Sequence, residues 1–390
     1  MKKIIILFLC SIFMLCGCGT ESTEDVLKDL INNTSKIKSY KMTGNMEISN
    51  DEETFTYSLE SYYLKDNYYK VILVNQTNNH EQIILKNKED IYVITPALNK
   101  SFKFQSEWPD NSSQAYLLGN IINDIAKDKE TKITKKDNGY IIKSNVNYPN
   151  NEDLKYQKVY INNKKEIEKV EVYNDEDIVK IKVTFEEIDL KAGLQENDFK
   201  LEDYVKKENE TSEDKKNENE QEKQTETEEN KTNVDNNKIE ETCNEETNNE
   251  ECKNQNNNID NKTNTNNTET EKTANIENII YPLYIPSNTF LTSSETIETG
   301  SGNRVILTFS GEKNFVLIEE VSVVNNDMEI VPVYGEPLML TESIGALSAN
   351  SLSWDVNNIS YYLASTELSV AEMQAIANSL GNTTLVSNTK

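Results

Sequence analysis

Residues 179–185 read Val-Lys-Ile-Lys-Val-Thr-Phe, the cleanest alternation of apolar and polar side chains in the chain. Successive side chains of a β-strand point to opposite faces, so this run predicts a strand with one buried face, as is typical of antiparallel sheets. Working outward, similar runs separated by polar turns predict about ten antiparallel strands in the first half of the chain. They lie at 40–48, 55–59, 69–73, 83–85, 91–93, 102–104, 140–146, 159–161 and 170–172.

Two helices accompany these strands. Ser22 stands three residues before Asp25 and precedes an apolar run that ends at Ile31, which is typical of a capped helix start. Between residues 117 and 125, leucine and isoleucine recur at helical spacing. The predicted fold class is α+β, a curved antiparallel sheet with helices packed on one face.

The first seventeen residues have the pattern of an export signal. Two lysines are followed by a nearly all-apolar run, Ile4–Leu15, which is too short to span a bilayer as a permanent helix. A small residue then precedes Cys18, as at sites where bacteria attach diacylglycerol to a cysteine. We expect residues 1–17 to be a lipoprotein signal peptide and Cys18 to anchor the chain on the extracytoplasmic face of the cell membrane. The alternative is a secretory signal that precedes a cysteine by chance.

The charge balance excludes one class of partner. The chain has 40 Lys plus Arg and 67 Asp plus Glu, a formal net charge of −27 at pH 7. Such a surface repels phosphate backbones, so nucleic acid is not an expected partner.

Apart from the lipid-bearing Cys18, the cysteines that remain after removal of the signal peptide are Cys243 and Cys252. They lie in a polar stretch outside the cytoplasm, where a disulfide persists. The pattern is compatible with a loop-closing disulfide or with two free thiols. Because no histidine is nearby, a zinc site is not expected.

Composition divides the mature chain near Lys206 and again near Ile276. Residues 206–276 hold twenty acidic residues and ten lysines among Asn, Gln, Thr and Ser, with almost no apolar side chains. Such a segment cannot bury enough surface to offset the entropy of ordering, so we expect a disordered acidic linker. It separates a body, residues 18–205, from a tail, residues 277–390.

The tail is expected to be a small α+β domain. Ser369 and Glu372 have the spacing of a capping box, and apolar residues between Met373 and Leu380 line one helix face. Strand patterns at 304–309 and 315–324 precede this helix. Beyond a flexible linker, the tail should reach tens of ångströms from a body held near the membrane.

The sequence offers no catalytic apparatus. His80 is the only histidine, lies in a polar run typical of a surface loop, and has no partners for a catalytic triad. Glycine-rich phosphate loops and clusters with metal-ligand spacing are absent from the sequence. We therefore expect a protein that is not an enzyme and that needs no cofactor or metal.

One aromatic segment, residues 95–109, admits two interpretations. Phe102, Phe104 and Trp108 are candidates for a recognition loop, because aromatic side chains offer large contact area at low entropic cost. The favoured alternative is a strand whose phenylalanines face the core, with Trp108 above the next helix. The many tyrosines of the body raise the same question, since they either line a cavity for an apolar ligand or cover a curved sheet.

The order of these motifs resembles the LolA-like lipoproteins of spore-forming Gram-positive bacteria, which include the germination lipoprotein GerS. The tail resembles a C-terminal domain of unknown function that larger sporulation lipoproteins add. The resemblance rests on the opening helix, the long sheet and short motifs at 96–100, 108–109, 116–118, 352–354, 361–363 and 368–377.

The resemblance implies a half-barrel, in which helices close a curved sheet over an apolar concavity. It also implies a role in spore formation or germination through protein partners at the envelope, which for GerS means a cell-wall amidase. Lipoprotein carriers of this fold latch a lid with an arginine, whereas the only arginine of this chain is Arg304 in the tail. The resemblance therefore does not extend to carrier activity.

Three hypotheses follow. The leading one is a non-catalytic binding module for an envelope or cortex-modifying protein. The second is a binder of acyl chains or another hydrophobic ligand in the half-barrel cavity. The third is an envelope-stress regulator that acts on an anti-sigma factor, since such regulators also join a LolA-like body to a small second domain.

Overall fold

A computed structural model of the chain describes residues 22–50, 53–88, 90–204 and 275–380. None of the described helices is long and apolar enough to cross a membrane. Several predictions fall outside the described residues: the signal peptide 1–17, lipidation of Cys18, a disulfide between Cys243 and Cys252, and disorder in nearly all of the linker.

The described body contains eleven β-strands and two α-helices, close to the predicted content. The helices are α1 (Thr23–Thr34) and α2 (Leu118–Lys127). The strands are β1 (Ser39–Ser49), β2 (Thr54–Leu64), β3 (Tyr68–Asn75), β4 (Glu81–Asn87), β5 (Asp90–Thr95), β6 (Lys100–Phe104), β7 (Lys132–Lys136), β8 (Gly139–Asn145), β9 (Tyr156–Asn162), β10 (Ile167–Tyr173) and β11 (Val179–Asp189).

These strands form one antiparallel sheet in the order β6-β5-β4-β3-β2-β1-β11-β10-β9-β8-β7. Consecutive strands pair within β1–β6 and within β7–β11, and β1 pairs with β11 to join the two halves. At this junction the register shifts between Thr43 and Gly44, and a Cβ atom at Gly44 would lie 2.1 Å from the carbonyl oxygen of Thr184. Glycine therefore permits the close approach of the two central strands.

Both helices pack on one face of this sheet. The Ser22 hydroxyl accepts a hydrogen bond from the Asp25 amide at 3.1 Å, which caps α1 as predicted. A single core joins both helices to strands near each end of the sheet, including Phe104 of β6 and Ile142 of β8. Strands lie about 4.8 Å apart, so a flat sheet of this width would spread over about 50 Å. The sheet must therefore curve around the helices, which confirms the predicted fold class.

The opposite face of the sheet is covered in part by the last residues of the body. Two 3-10 turns, Glu196–Phe199 and Leu201–Tyr204, follow β11. Phe199 is 1% exposed and packs with Tyr68, Tyr92 and neighbouring aliphatic side chains of β4 and β5. Some of the tyrosines of the body thus cover the sheet rather than line a cavity.

The described tail contains eight further strands and a capped helix. The helix is α3 (Val370–Asn378), and Ser369 and Glu372 form the predicted capping box. Seven strands form a second antiparallel sheet in the order β12-β13-β14-β19-β18-β17-β16, so the tail is α+β as expected. The strands are β12 (Thr289–Thr299), β13 (Gly302–Gly311), β14 (Phe315–Val321), β15 (Glu329–Val333), β16 (Gly335–Met339), β17 (Ile344–Ser348), β18 (Ser351–Val356) and β19 (Ile359–Ala364).

The remaining tail strand joins the body. β15 pairs in parallel with β6, with Val331 opposite Phe102, and extends the body sheet to twelve strands. Ile344 and Ala346 of β17 belong to the core of the body. The described parts of body and tail thus lie in one compact unit. The expectation that the tail reaches tens of ångströms away is wrong, because backbone pairing and apolar burial hold it against the body.

Candidate functional site

The contact between body and tail includes a buried polar cluster. The Gln82 side chain of β4 donates to the Ile344 carbonyl oxygen at 3.3 Å and accepts from the Ile344 amide at 2.5 Å. The Tyr57 hydroxyl of β2 donates to the carbonyl oxygen of Thr341. All four residues are buried. Because an unpaired polar group in such a place is costly, these reciprocal bonds fix the position of the tail.

A second polar cluster surrounds Asp355 of β18, which is 2% exposed. Its Oδ1 accepts from Lys100 Nζ of β6 at 3.1 Å and from the hydroxyl of Ser360. His80 lies close enough for the Asp355 charge to favour its protonation, but burial has the larger effect and lowers the pKa of His80. The one histidine is therefore partly buried against the tail rather than free at the surface.

A cavity of about 530 Å³ lies between the inner face of the body and the tail. Trp108, Tyr116 and Tyr148 line it from the body, while Met339 and Ile344 line it from the tail. Polar groups also reach it. Asn111 and Asn150 both donate to the Glu336 carboxylate, the former at 2.5 Å. The mixed lining suits an amphiphilic occupant better than a bare acyl chain.

The candidate recognition residues lie in the core. Phe102, Phe104 and Trp108 are 5%, 1% and 2% exposed. The Trp108 ring meets Tyr69 edge-on at 6.1 Å between centroids, and its carbonyl oxygen accepts from the buried Lys86 Nζ at 2.5 Å. Phe102 and Phe104 lie in β6 and, like Trp108, are buried, as the alternative of a core strand expects. A recognition role for these three residues stays a prediction.

The structure reveals one surface that the sequence interpretation missed. Among large apolar side chains of the described residues, those with substantial exposure lie in the tail, except for Ile178 and Leu190. Seven of them fall in or just before β12. They are Tyr281, Leu283, Tyr284, Ile285, Phe290, Leu291 and Ile297. The signal in the sequence was present but weak, because the run 289–299 alternates poorly and contains no lysine or proline.

The described residues contain no group of three or more His, Cys, Asp or Glu side chains placed to hold a metal ion.

Glu319 of β14 predicts a pH dependence of stability. The residue is fully buried, one carboxylate oxygen accepts from the Ile280 amide at 3.2 Å, and the other has no described partner. Burial raises its pKa to about 7. The folded state therefore holds this proton more tightly than the unfolded state, so stability is lost as pH rises from the unfolded pKa through about 7.

Glu319→Gln should consequently gain stability relative to the parent chain as pH rises, by about 2–3 kcal/mol between pH 4 and pH 8. Urea unfolding at several pH values measures this difference. Glu312→Gln, at an exposed position of the same tail, is the matched control and should show no such trend. A constant difference between Glu319→Gln and its parent across this range would contradict the prediction.

The fold and the buried contacts define a class of protein. In this class a curved antiparallel sheet packs around two helices, and the C-terminal domain of the same chain adds a strand to that sheet and side chains to its core. A family model described as sporulation protein YdcC-like matches residues 1–199. The chain belongs to this family of sporulation proteins, and the resemblance to sporulation proteins expected from the sequence is confirmed. It is 29% identical over 372 residues to sporulation protein YdcC of Bacillus subtilis (strain 168), across 95% of this chain and 94% of that protein.

Solved structures with similarity to the chain include three of different description. One is MucA/MucB of Pseudomonas aeruginosa, 9% identical, covering 90% of this chain and 97% of that chain with a TM-score of 0.30. Another is the CwlD amidase from Clostridioides difficile in complex with the GerS lipoprotein. It is 19% identical and covers 43% of this chain and 95% of that chain, with a TM-score of 0.27. The third is a LolA superfamily protein from Nitrosomonas europaea, which is 10% identical and covers 47% of this chain and 99% of that chain, with a TM-score of 0.29.

Proposed function

We propose that this protein acts in sporulation as a lipid-anchored, non-catalytic binding module for a protein of the cell envelope. Membership of a sporulation protein family supports the role in sporulation. Cys18 would carry the lipid only four residues before Ser22, the cap of α1. The body would then lie close to the outer face of the membrane, within reach of envelope proteins.

The exposed apolar side chains of the tail are the observation that carries this proposal. Leu283 and Phe290 are 66% and 67% exposed, and Tyr334 is 77% exposed. Large apolar side chains that remain in water on a well-packed protein mark surfaces that bind partners. Because the tail is fixed on the body by buried contacts, such a surface is held rigidly, which lowers the entropic cost of binding.

The alternative of an acyl-chain binder has less support. In the described residues the inner face of the body is filled by α1, α2 and the tail side chains Ile344 and Ala346. The remaining cavity carries the Glu336 carboxylate and several amide groups. Desolvating these groups without hydrogen-bond partners would oppose the entry of a hydrocarbon chain.

Chemical cross-linking in sporulating cells, with the full membrane-anchored chain as bait, tests the proposal. We expect enrichment of an envelope protein over a second lipid-anchored protein that carries the same tag. The identity of the enriched envelope protein would show whether the partner is a cortex-modifying enzyme such as an amidase or an anti-sigma factor. Metabolic labelling with an alkyne analogue of palmitate should mark the chain and fail to mark Cys18→Ala. Absence of any enriched envelope protein would contradict the binding function, and unchanged labelling of Cys18→Ala would contradict the anchor.

A further inference from the structure

The two sheets have four edges, and three of them are protected against pairing with another chain. β7 has five residues, of which Lys132, Lys135 and Lys136 are lysines. β15 and β16 also have five residues each and contain Pro332 and Pro337. Short length, lysine and proline are the devices by which proteins keep open sheet edges from recruiting strands.

The fourth edge has neither short length nor lysine nor proline, although it carries one bulge and two glutamates. β12 has eleven residues without lysine or proline and pairs with β13 along one side, while no described strand pairs with its other side. Eight of its eleven residues are exposed, so neither of its faces is covered. A long, open and partly apolar edge is a liability that natural proteins remove, unless a partner uses it.

The register of β12 defines the usable length of this edge. A bulge at Thr292 shifts the pairing with β13, but from Ser293 to Thr299 the register is continuous. This stretch presents seven consecutive residues of regular strand, a length common for strands. Phe290 and Leu291 lie just before it and add exposed apolar surface at one end.

The charge of the edge selects its occupant. Glu295 and Glu298 are exposed, and neither has a lysine or arginine within 4.0 Å among the described residues. Arg304, opposite Ile297 on β13, is already paired with Glu320 at 2.8 Å. A second copy would bring an equally acidic strand from a chain of net charge −27, so like charges would meet. A segment with basic residues offers the complementary charge.

We propose that β12 is a strand-addition site, at which an extended segment of a partner protein with basic residues on both of its faces pairs with Ser293–Thr299. This proposal rests on the proposed binding function and names the surface and the partner chemistry. Main-chain hydrogen bonds along the edge would supply affinity. Glu295, Glu298 and Ile297 would select the side chains of the segment.

A synthetic ten-residue peptide in which pairs of lysines alternate with pairs of isoleucines, so that each strand face carries both residue types, tests the proposal on the full mature chain. Fluorescence anisotropy should detect its binding, and a peptide with glutamate in place of lysine should bind at least tenfold more weakly. A paired strand uses every second amide, so N-methylation of one alternate set of peptide amides should abolish binding while methylation of the other set is tolerated. Equal effects of the two sets would overturn strand addition.

Variants of the protein provide the second arm. Glu295→Lys combined with Glu298→Lys should weaken binding of the lysine peptide at least tenfold and reverse the preference between the two peptides. Glu130→Lys combined with Glu176→Lys changes net charge equally at exposed positions of the body and should leave both affinities unchanged. If both double variants lost binding of the lysine peptide to the same extent, the effect would be one of general charge, and the proposal would be overturned.

Two further outcomes separate this proposal from the proposed function. An envelope protein captured equally by the chain and by the Glu295→Lys, Glu298→Lys variant would contradict strand addition and leave the binding function intact. Self-association of the chain that is lost in this variant would identify a second copy as the occupant and overturn the proposed partner. Peptide binding as expected, without any captured envelope protein, would contradict the proposed function alone.

Discussion

Ile344→Asp is expected to release the tail from the body and to lower the free energy of unfolding by about 3–5 kcal/mol. Ile344 is 2% exposed and lies in the core of the body, while its backbone is bonded to Gln82. An aspartate there would bury an unpaired carboxylate in an apolar setting. Urea unfolding of the mature chain measures the loss. After proteolytic cleavage of the expected linker, the tail should separate from the body in the variant and stay bound to it in the parent, as gel filtration would show.

Ile330→Asp is the matched control, because Ile330 is 46% exposed on β15. It introduces the same charge into the same tail, and its effect should stay near the range for surface substitutions, about 0.5 kcal/mol. Equal destabilisation by the two substitutions would contradict the view that the Ile344 contact holds the tail in place.

Trp108→Ala is expected to cost about 3–5 kcal/mol of stability, the usual range for truncating a large buried aromatic side chain. The ring is 2% exposed, contacts Tyr69 edge-on and borders the cavity between body and tail. Its removal therefore enlarges that cavity and removes an aromatic contact. Thermal and urea unfolding measure the change.

Tyr334→Ala, at a position 77% exposed, serves as the aromatic control and should alter stability little. Partner binding by Trp108→Ala itself decides between the two roles considered for Trp108. A core residue changes stability and leaves partner binding intact at conditions where the variant is folded. Little loss of stability with lost binding would instead support a recognition role.

Local patterns predicted the strands and helices because each pattern acts over a few residues. The alternation at 179–185 lies within β11, although only Val183 among its apolar residues is fully buried. The cap at Ser22 and the capping box at Ser369 were equally predictable, since each capping contact links residues three apart. Such contacts can be predicted from a short stretch of sequence.

The docking of the tail could not be predicted in this way. Gln82 and Ile344 are 262 residues apart. The strands β6 and β15 pair in parallel, although the sequence of neither strand indicates which strand it pairs with. A polar side chain at position 82 has no local feature that marks it as a ligand for a distant backbone. The same limit concealed the partial burial of His80, which lies in a polar loop that the tail covers.

The parallel pairing of β15 with β6 has a consequence for the order in which the protein is assembled. Synthesis delivers β6 more than two hundred residues before β15. Until the tail arrives, the β6 edge, with Phe102 and Phe104, has no strand beside it and resembles the exposed edges that promote aggregation. The tail therefore completes the body as a built-in assembly step, and a chain that stops before residue 329 ends with that edge open.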